Sequence, residues 1–312
     1  MKNIRIAKNV SSLLRLVISS QETSAPFNQF TLPIQHLRKI TTLSLFPPKL
    51  KNSQSSQIIN AGGSVVEFFK KLREIVATGT VDLIHAHSVH VALLATLAKL
   101  RIGAKRFPPI VLTVHCSYPN LKRRNRVLFL LSVPFMDRVV FCSKASMESF
   151  PLFYHWLCGS SRLYITNGVN VSRVQAVLEQ NPSQRDENRF VICAVGLMEV
   201  KDPLTILKAF EEANISDGEL VFLGDGDMRE ELEAECAKRE LQSRVKILGT
   251  ISRDEVYSQM KRASLFISAS SSEGLPIAPL EAMLCSCPVI LSDIPAHREL
   301  IDSATQDSIF DV

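Results

Sequence analysis

The stretch SLFISASSSEGLPIAPLEAML, residues 264–284, sets out the fold in a single unit. SLFISAS is short, apolar and unalternating, as a strand buried on both faces is. SSSEGLP is a turn, with Gly274 permitting backbone postures that other residues resist. PIAPLEAML reads as a helix opened by prolines, which suit a first turn whose N–H groups have no partner. The same pattern recurs around it: FVICAVG with PLTILKAFEEA, ELVFLGDG with MREELEAECAKRE, RVKILG with RDEVYSQMKRA, and PVILSD with IPAHRELI. Parallel strands joined by right-handed helical crossovers give a doubly wound α/β domain.

The first half repeats the theme less regularly. Strands are expected at 13–19, 81–87, 109–115, 137–143 and 162–168. Helices are expected at FTLPIQHLRK (30–39), SVVEFFKKLREIVATG (64–79), HVALLATLAKL (90–100) and LKRRNRVLFLLSV (121–133). FPPKLKNSQSSQ (46–57) reads as a loop. QNPSQRDENR (180–189) is polar and without apolar periodicity, so it is expected to link a domain over 1–179 to one over 190–312.

At 312 residues and 46% hydrophobic, the chain can bury two cores. Seven cysteines, an odd number with no CxxC pair, imply a reducing, cytoplasmic setting. No apolar run reaches the roughly 18 residues that span a bilayer. Arg15 interrupts the apolar N-terminal stretch, so secretion is not expected. The net charge of +5 hides an asymmetry: residues 1–180 hold 23 Lys+Arg against 7 Asp+Glu, whereas 181–312 hold 13 against 24. Within the basic half, Lys122, Arg123, Arg124 and Arg126 abut the apolar VLFLLSVPF. That juxtaposition suits an anionic membrane surface, or equally a solvated helix end. Nucleic acid is not expected, since no aromatics interleave the basic run.

In open parallel sheets, ligands sit beyond the carboxyl ends of strands. His85, His87, His115, Gly196 to Lys201, Gly224 to Gly226 and Glu273 all follow strands. GDGDMR departs from GxGxxG at Arg229, and no P-loop motif occurs. His85, His87 and His90 have no carboxylate or cysteine near in sequence to complete a metal site. Glu273 and Glu281 flank a helix start whose N–H groups attract phosphate. Both could accept hydrogen bonds from hydroxyls, as a sugar nucleotide would require. On local features alone, a capping carboxylate and a surface helix glutamate explain them too.

Residues 270–300, SSSEGLPIAPLEAMLCSCPVILSDIPAHREL, resemble the signature of retaining family 4 glycosyltransferases, which have the GT-B fold. The resemblance continues through GLMEVKDPLTILKAF, VFLGDGDMREELE, VKILGTISRDEVYSQMKRASLFIS, VDLIHAHSVHVALLATLAK, IVLTVHCS and YITNGVN, covering roughly 13–303. It implies two doubly wound Rossmann-like domains facing across a cleft. It implies transfer of a hexose-type sugar from a nucleoside-diphosphate sugar to a hydroxyl of a glycan or lipid-linked glycan. Retention and no metal or other cofactor are implied as well. Glu273 would then contact the donor sugar beside the backbone of Gly274, Leu275 and Pro276. Glu281 would hold the ribose, Lys201 the diphosphate beside Gly196, and Gly249 to Ile251 the base. His115 would reach the donor sugar. A location in the cytoplasm, peripheral on the inner membrane face, goes with such acceptors.

Three departures stand out. The family has an arginine after the glycine of its VG motif, where this chain has Leu197. Ser24, Ala25 and Pro26 stand in place of the glycine-rich turn. The sequence ends at SIFDV where the family continues for a few helices, so a shortened member is expected. A non-catalytic nucleotide-sugar or glycan binder, or a sugar-nucleotide epimerase on the same fold, is the alternative.

Overall fold

The computed structural model describes residues 12–19, 39–46, 57–180, 189–301 and 309–310. The chain packs as two units, Met1–Thr166 and Asn167–Val312. This division precedes the 180–189 segment because α6 (Val171–Gln180) buries Val174 and Val177 in the second unit's core. Residues 181–188 of the expected linker lie outside the described residues.

The first unit is a parallel sheet of β1 (Ser12–Ser19), β2 (Lys39–Phe46), β3 (Gln57–Asn60), β4 (Leu83–Ala86), β5 (Ile110–Val114), β6 (Arg138–Phe141) and β7 (Arg162–Tyr164). Its order is β3-β2-β1-β4-β5-β6-β7. Around it lie α1 (Val65–Ala77), α2 (Val89–Ile102), α3 (Arg123–Ser132), α4 (Lys144–Glu148) and α5 (Leu152–Cys158). Helix α1 starts where the Ser64 hydroxyl accepts from the Glu67 N–H. Its Phe68, Leu72 and Val76, spaced by four, face the sheet. Burying Phe68 or Leu72 contributes about 1.5–3 kcal/mol each. Ser88 caps α2 in the same way.

Strands β2 and β3 were not expected. KITTLSLF looks polar, yet Thr41, Thr42 and Ser44 are buried in the sheet. β-Branched threonine suits a strand despite its hydroxyl, and Ser44 Oγ donates to the Phe46 carbonyl at 2.6 Å. Of the expected 46–57 loop, Phe46 closes β2 and Gln57 opens β3, while residues 47–56 lie outside the described residues. The expected helix over 30–39 falls outside the described residues, except Lys39, which opens β2. Helices α4 and α5 are too short, at 5 and 7 residues, to show a periodic pattern.

The second unit is also a parallel sheet, with order β10-β9-β8-β11-β12-β13. Its strands are β8 (Phe190–Val195), β9 (Gly218–Leu223), β10 (Val245–Ile247), β11 (Leu265–Ser268), β12 (Val289–Ser292) and β13 (Ile309–Phe310). Its further helices are α7 (Pro203–Ala213), α8 (Arg229–Lys238), α9 (Arg253–Arg262), α10 (Ile277–Leu284) and α11 (Pro295–Arg298). Strand side chains alternate between two cores. Cys193, Val221 and Leu223 pack with α6, α9 and α10. Ile192, Ala194, Leu220 and Phe222 pack with α7 and α8. The five strand-helix units read from the sequence are all present, although the last helix is only four residues long.

Each sheet reverses its strand order once, at β1/β4 in the first and at β8/β11 in the second. The carboxyl edge at such a reversal is where open α/β sheets bind ligands.

Candidate functional site

At the second reversal, β8 and β11 deliver their connecting loops side by side. The β8 loop turns at Gly196, whose φ of 88° lies in the left-handed region that favours glycine. Its N–H donates to the Leu223 carbonyl at 2.7 Å. The chain then passes through a short 3-10 turn, Glu199–Lys201, into α7. Asp202 caps that helix, accepting from the Thr205 N–H at 3.2 Å and the Thr205 hydroxyl at 2.7 Å. The Lys201 side chain folds back over Gly196: a Cβ there would lie 3.5 Å from Lys201 Cγ.

The β11 loop brings Glu273 to the same place. Its carboxylate forms an ion pair with the Lys201 ammonium. Ser270 Oγ donates to Glu273 Oε1 at 3.0 Å. The Ser271 N–H donates to the Val200 carbonyl at 3.0 Å, tying the two loops together. The structure thus brings Gly196, Lys201 and Glu273 into one cluster. Gly274, Leu275 and Pro276 follow, all buried, and Pro276 opens α10 with no side-chain cap.

Glu281 lies in a network of its own, on the buried side of α10. It is 2% exposed, so it is not the surface helix glutamate that local features allowed. Arg253, at the start of α9, forms an ion pair with Oε1, and the Tyr257 hydroxyl donates to the same oxygen at 3.1 Å. Burial pushes the Glu281 pKa up, and the Arg253 charge opposes that rise. Both of these bonds fall on Oε1. Arg253 and Tyr257 were missed in the sequence. Their signal was the i, i+4 spacing in RDEVY, which aims both side chains from one helix face.

Position 197 has a structural explanation. Leu197 is fully buried among Ala194, Leu207 and Leu232. Its carbonyl accepts from the Met228 N–H at 2.9 Å. Gly226 presses against this joint so closely that a Cβ there would lie 2.1 Å from the Leu197 oxygen. No arginine fits in the place of Leu197 without burying its charge. Gly226→Ala is expected to destabilise the second unit by at least about 1–3 kcal/mol, since backbone must move. Chemical denaturation measures this; an unchanged midpoint would show that the joint is looser than described.

Further along the edge, the Gly224 N–H donates to the Gly249 carbonyl at 2.8 Å. Ile251 packs partly buried against the core containing α9 and α10. The Arg229 guanidinium stands beside Gly249, held by Asp225 at 3.4 Å and Glu233 at 2.8 Å. His297 on α11 is fully buried. Its Nδ1 lies 2.8 Å from the Ser292 carbonyl, so that nitrogen carries the proton. Burial lowers its pKa, which keeps the ring neutral. Ser292 Oγ in turn donates to the Ser270 carbonyl at 2.6 Å, bracing the loop that holds Glu273.

In the first unit, His115 follows β5 and His87 follows β4, which are adjacent strands. His115 Nε2 lies 3.1 Å from His87 Nδ1, and His85 Nε2 lies 2.7 Å from Thr113 Oγ1. Burial pulls His115 down to about 4 and His85 to about 3, so both are neutral near pH 7. Among the described residues, no group of three or more His, Cys, Asp or Glu side chains is placed to hold a metal. The basic run divides in two. Lys122, Arg123 and Arg124 are exposed, whereas Arg126 turns inward. Its Nε donates to the Leu121 carbonyl at 2.9 Å, and its guanidinium lies 4.2 Å from the Tyr118 ring centroid. These contacts leave Arg126 partly buried, less exposed than Lys122, Arg123 and Arg124. Residues 24–26, where a glycine-rich turn was sought, lie outside the described residues.

Known proteins match both units. Residues 57–173 match the model "Glycosyltransferase Family 4", and residues 177–312 match "Glycosyl transferases group 1". HepE of Anabaena, solved with UDP and glucose, superposes with a TM-score of 0.75 at 18% identity, covering 96% of this chain and 86% of that one. WaaG, described as a glycosyltransferase involved in lipopolysaccharide biosynthesis, superposes with a TM-score of 0.72 at 12% identity, covering 96% and 85%. The fold is therefore GT-B, the class defined by two Rossmann-like domains. Within that class, the first unit resembles the domain of family 4 glycosyltransferases and the second that of group 1 glycosyltransferases. The UDP-Gal:alpha-D-GlcNAc-diphosphoundecaprenol alpha-1,3-galactosyltransferase of Escherichia coli is 24% identical over 255 residues, 76% of this chain and 63% of its own length. A Campylobacter jejuni relative, an N-acetylgalactosaminyltransferase named for a diphospho-undecaprenol acceptor, is 25% identical over 170 residues, 54% of this chain and 45% of its own length. The chain thus spans less than two thirds of these curated relatives.

Proposed function

We propose that this protein transfers a sugar from a nucleoside-diphosphate sugar to a hydroxyl of a glycan or lipid-linked glycan, with retention at the anomeric carbon and without a metal. The observation that carries this reading is the Lys201–Glu273 pair at the strand-order reversal, in a unit that matches a glycosyltransferase model. An ammonium over a glycine turn suits a diphosphate as a point charge. In the free protein, Glu273 holds that charge in place. When a donor binds, the diphosphate takes over Lys201, and Glu273 is released to accept from sugar hydroxyls. Gly274, Leu275 and Pro276 supply backbone beside it. Glu281 Oε2 accepts from ribose hydroxyls, with Arg253 and Tyr257 keeping the carboxylate ionised and aimed. Gly196 leaves room for the phosphates, and backbone near Ile251 carries the base.

His115 contributes a neutral imidazole to the donor sugar, its orientation set by His87. Among the described residues, no side chain is assigned the role of nucleophile in this reading. The departing phosphate is then the base for the incoming hydroxyl, which accounts for retention without a covalent intermediate. Transferases named as relatives of both units favour this over an epimerase or a silent binder.

A ligand-observed NMR screen across the common nucleotide sugars tests the donor site. Binding that depends on the diphosphate, and that weakens about tenfold or more in Glu281→Ala, is expected, since charged hydrogen bonds contribute about 1.5–3 kcal/mol. Affinity unchanged in a folded variant would remove Glu281 from the site. Work at an inner membrane face goes with lipid-linked acceptors. Among the described residues, no helix is long and apolar enough to cross a membrane.

A further inference from the structure

Around the loop that carries Glu273, the chain buries four polar side chains: Ser268, Ser270, Ser292 and His297. Buried hydroxyls and imidazoles are costly unless each is bonded. Here the sense of every bond follows from its acceptor, since a carbonyl or a carboxylate can only accept. Ser270 Oγ donates to Glu273 Oε1 at 3.0 Å, so it accepts from Ser268 Oγ, also at 3.0 Å. Ser292 Oγ donates to the Ser270 carbonyl at 2.6 Å. The His297 Nδ1–H is shared between the Ser292 carbonyl, at 2.8 Å, and Ser292 Oγ, at 3.1 Å. Its Nε2 is buried with no hydrogen-bond partner among the described residues, so Ser292 sets the tautomer of the ring. Two chains of donors, one through side chains and one through backbone, converge on Ser270.

We propose that Ser270 is a positioning residue for Glu273, and that His297 is a second, acting on Ser270 through Ser292. Both Lys201 and Ser270 hold Glu273 Oε1 in the free protein. When a diphosphate draws Lys201 away, the Ser270 hydroxyl still donates to the carboxylate and decides where it waits for the sugar. A carboxylate aimed in advance needs no ordering when the ligand arrives, and that saving appears as affinity. Packing alone would be served by apolar side chains of similar volume. It would not need Ser268 and Ser292 both to direct their protons to Ser270, nor an imidazole fixed as its Nδ1–H tautomer. This inference rests on the reading of Glu273 as the group that meets the donor sugar.

Two ligands separate positioning from packing: a nucleotide sugar and its nucleoside diphosphate, of which only the first reaches Glu273. UDP-glucose and UDP are the first pair, followed by the other common nucleotide sugars. Calorimetry on the full chain gives both affinities for the wild type, Ser270→Ala, His297→Gln, His297→Asn and Glu273→Gln. Ser270→Ala is expected to weaken the nucleotide sugar about tenfold and the diphosphate less than about twofold, the loss of one hydrogen bond to a charged group. His297→Gln lowers the same ratio about threefold, since its amide falls nearer the place of Nε2. His297→Asn puts an N–H near the place of Nδ1 and recovers most of that loss. Nitrogen-detected NMR of the imidazole shows Nδ1–H in the wild type. Unfolding curves confirm that each variant folds, and Ser270→Ala, which removes a single hydroxyl, decides the matter should His297→Gln not fold. Equal weakening of both ligands, equal effects of the Asn and Gln changes, or an Nε2–H tautomer overturns the inference. A nucleotide sugar weakened in Glu273→Gln but not in Ser270→Ala overturns it alone. Glu273→Gln binding as tightly as the wild type, or no nucleotide sugar binding the wild type, overturns the assignment of Glu273 and this inference with it.

Discussion

Replacing Lys201 with methionine is expected to lower kcat/KM by about 10²–10³, the loss seen when a donor poised for developing charge is removed. Lys201 stands over the Gly196 turn, and no second cation follows that turn because Leu197 belongs to the core. Arg229 is along the same edge, but its guanidinium is held by Asp225 and Glu233. In the proposed reaction, charge on the departing diphosphate would therefore rest mainly on Lys201. The fall should lie more in kcat than in KM, since that charge grows as the bond to the sugar breaks. Stability should change little, because Glu273 keeps its bond from Ser270 and the pair is partly solvated. Turnover within a few-fold of wild type would show that Lys201 is only a structural partner of Glu273.

Arg253→Met is expected to destabilise the protein by about 3–5 kcal/mol, the cost of leaving a buried charge without its partner. The methionine keeps much of the volume, so lost packing is a small part of the effect. The loss should depend on pH. Glu281 already has a folded pKa above its unfolded one, because burial disfavours its charge. Such a group favours the fold below the unfolded pKa, and that contribution is lost as pH rises through the folded pKa. Without Arg253 the folded pKa moves further up, so the deficit should widen between about pH 4 and about pH 7.5, the range above the ordinary glutamate value. Glu281→Gln in the same background should recover stability by removing the charge. Denaturant unfolding of the wild type and the two variants at both pH values checks this, and an equal deficit at the two would contradict it.

The second unit was legible because its strands are buried on both faces and its helices are amphipathic. The two signals alternate without interruption from Phe190 to Ile301. Its glutamate pair was legible for a different reason: carboxylates are costly to bury, so two of them in SSSEGLPIAPLEAM require partners. Those partners were only half visible. Lys201 could be placed because it follows a strand. The spacing of Arg253 and Tyr257 sets them on one helix face, but nothing local in RDEVYSQMKR says that this face meets α10. His297 was hidden in the same way, as a buried residue on a four-residue helix. In the first unit, β2 escaped because buried threonines and serine imitate a polar segment. Helix α5 escaped because seven residues carry no period to read.

The most direct measurement of the central claim is the product of the reaction itself. The full chain is incubated with the nucleotide sugar that binds best and with glycan and undecaprenyl-diphosphate-linked acceptors, and the mixture is followed by proton NMR. The account predicts release of nucleoside diphosphate, with the sugar on an acceptor hydroxyl in the anomeric configuration it had in the donor. It also predicts that Lys201→Met and Glu273→Gln abolish that signal while the protein remains folded. An inverted product, a donor sugar epimerised with no acceptor present, or a donor that binds but is never consumed would contradict the account.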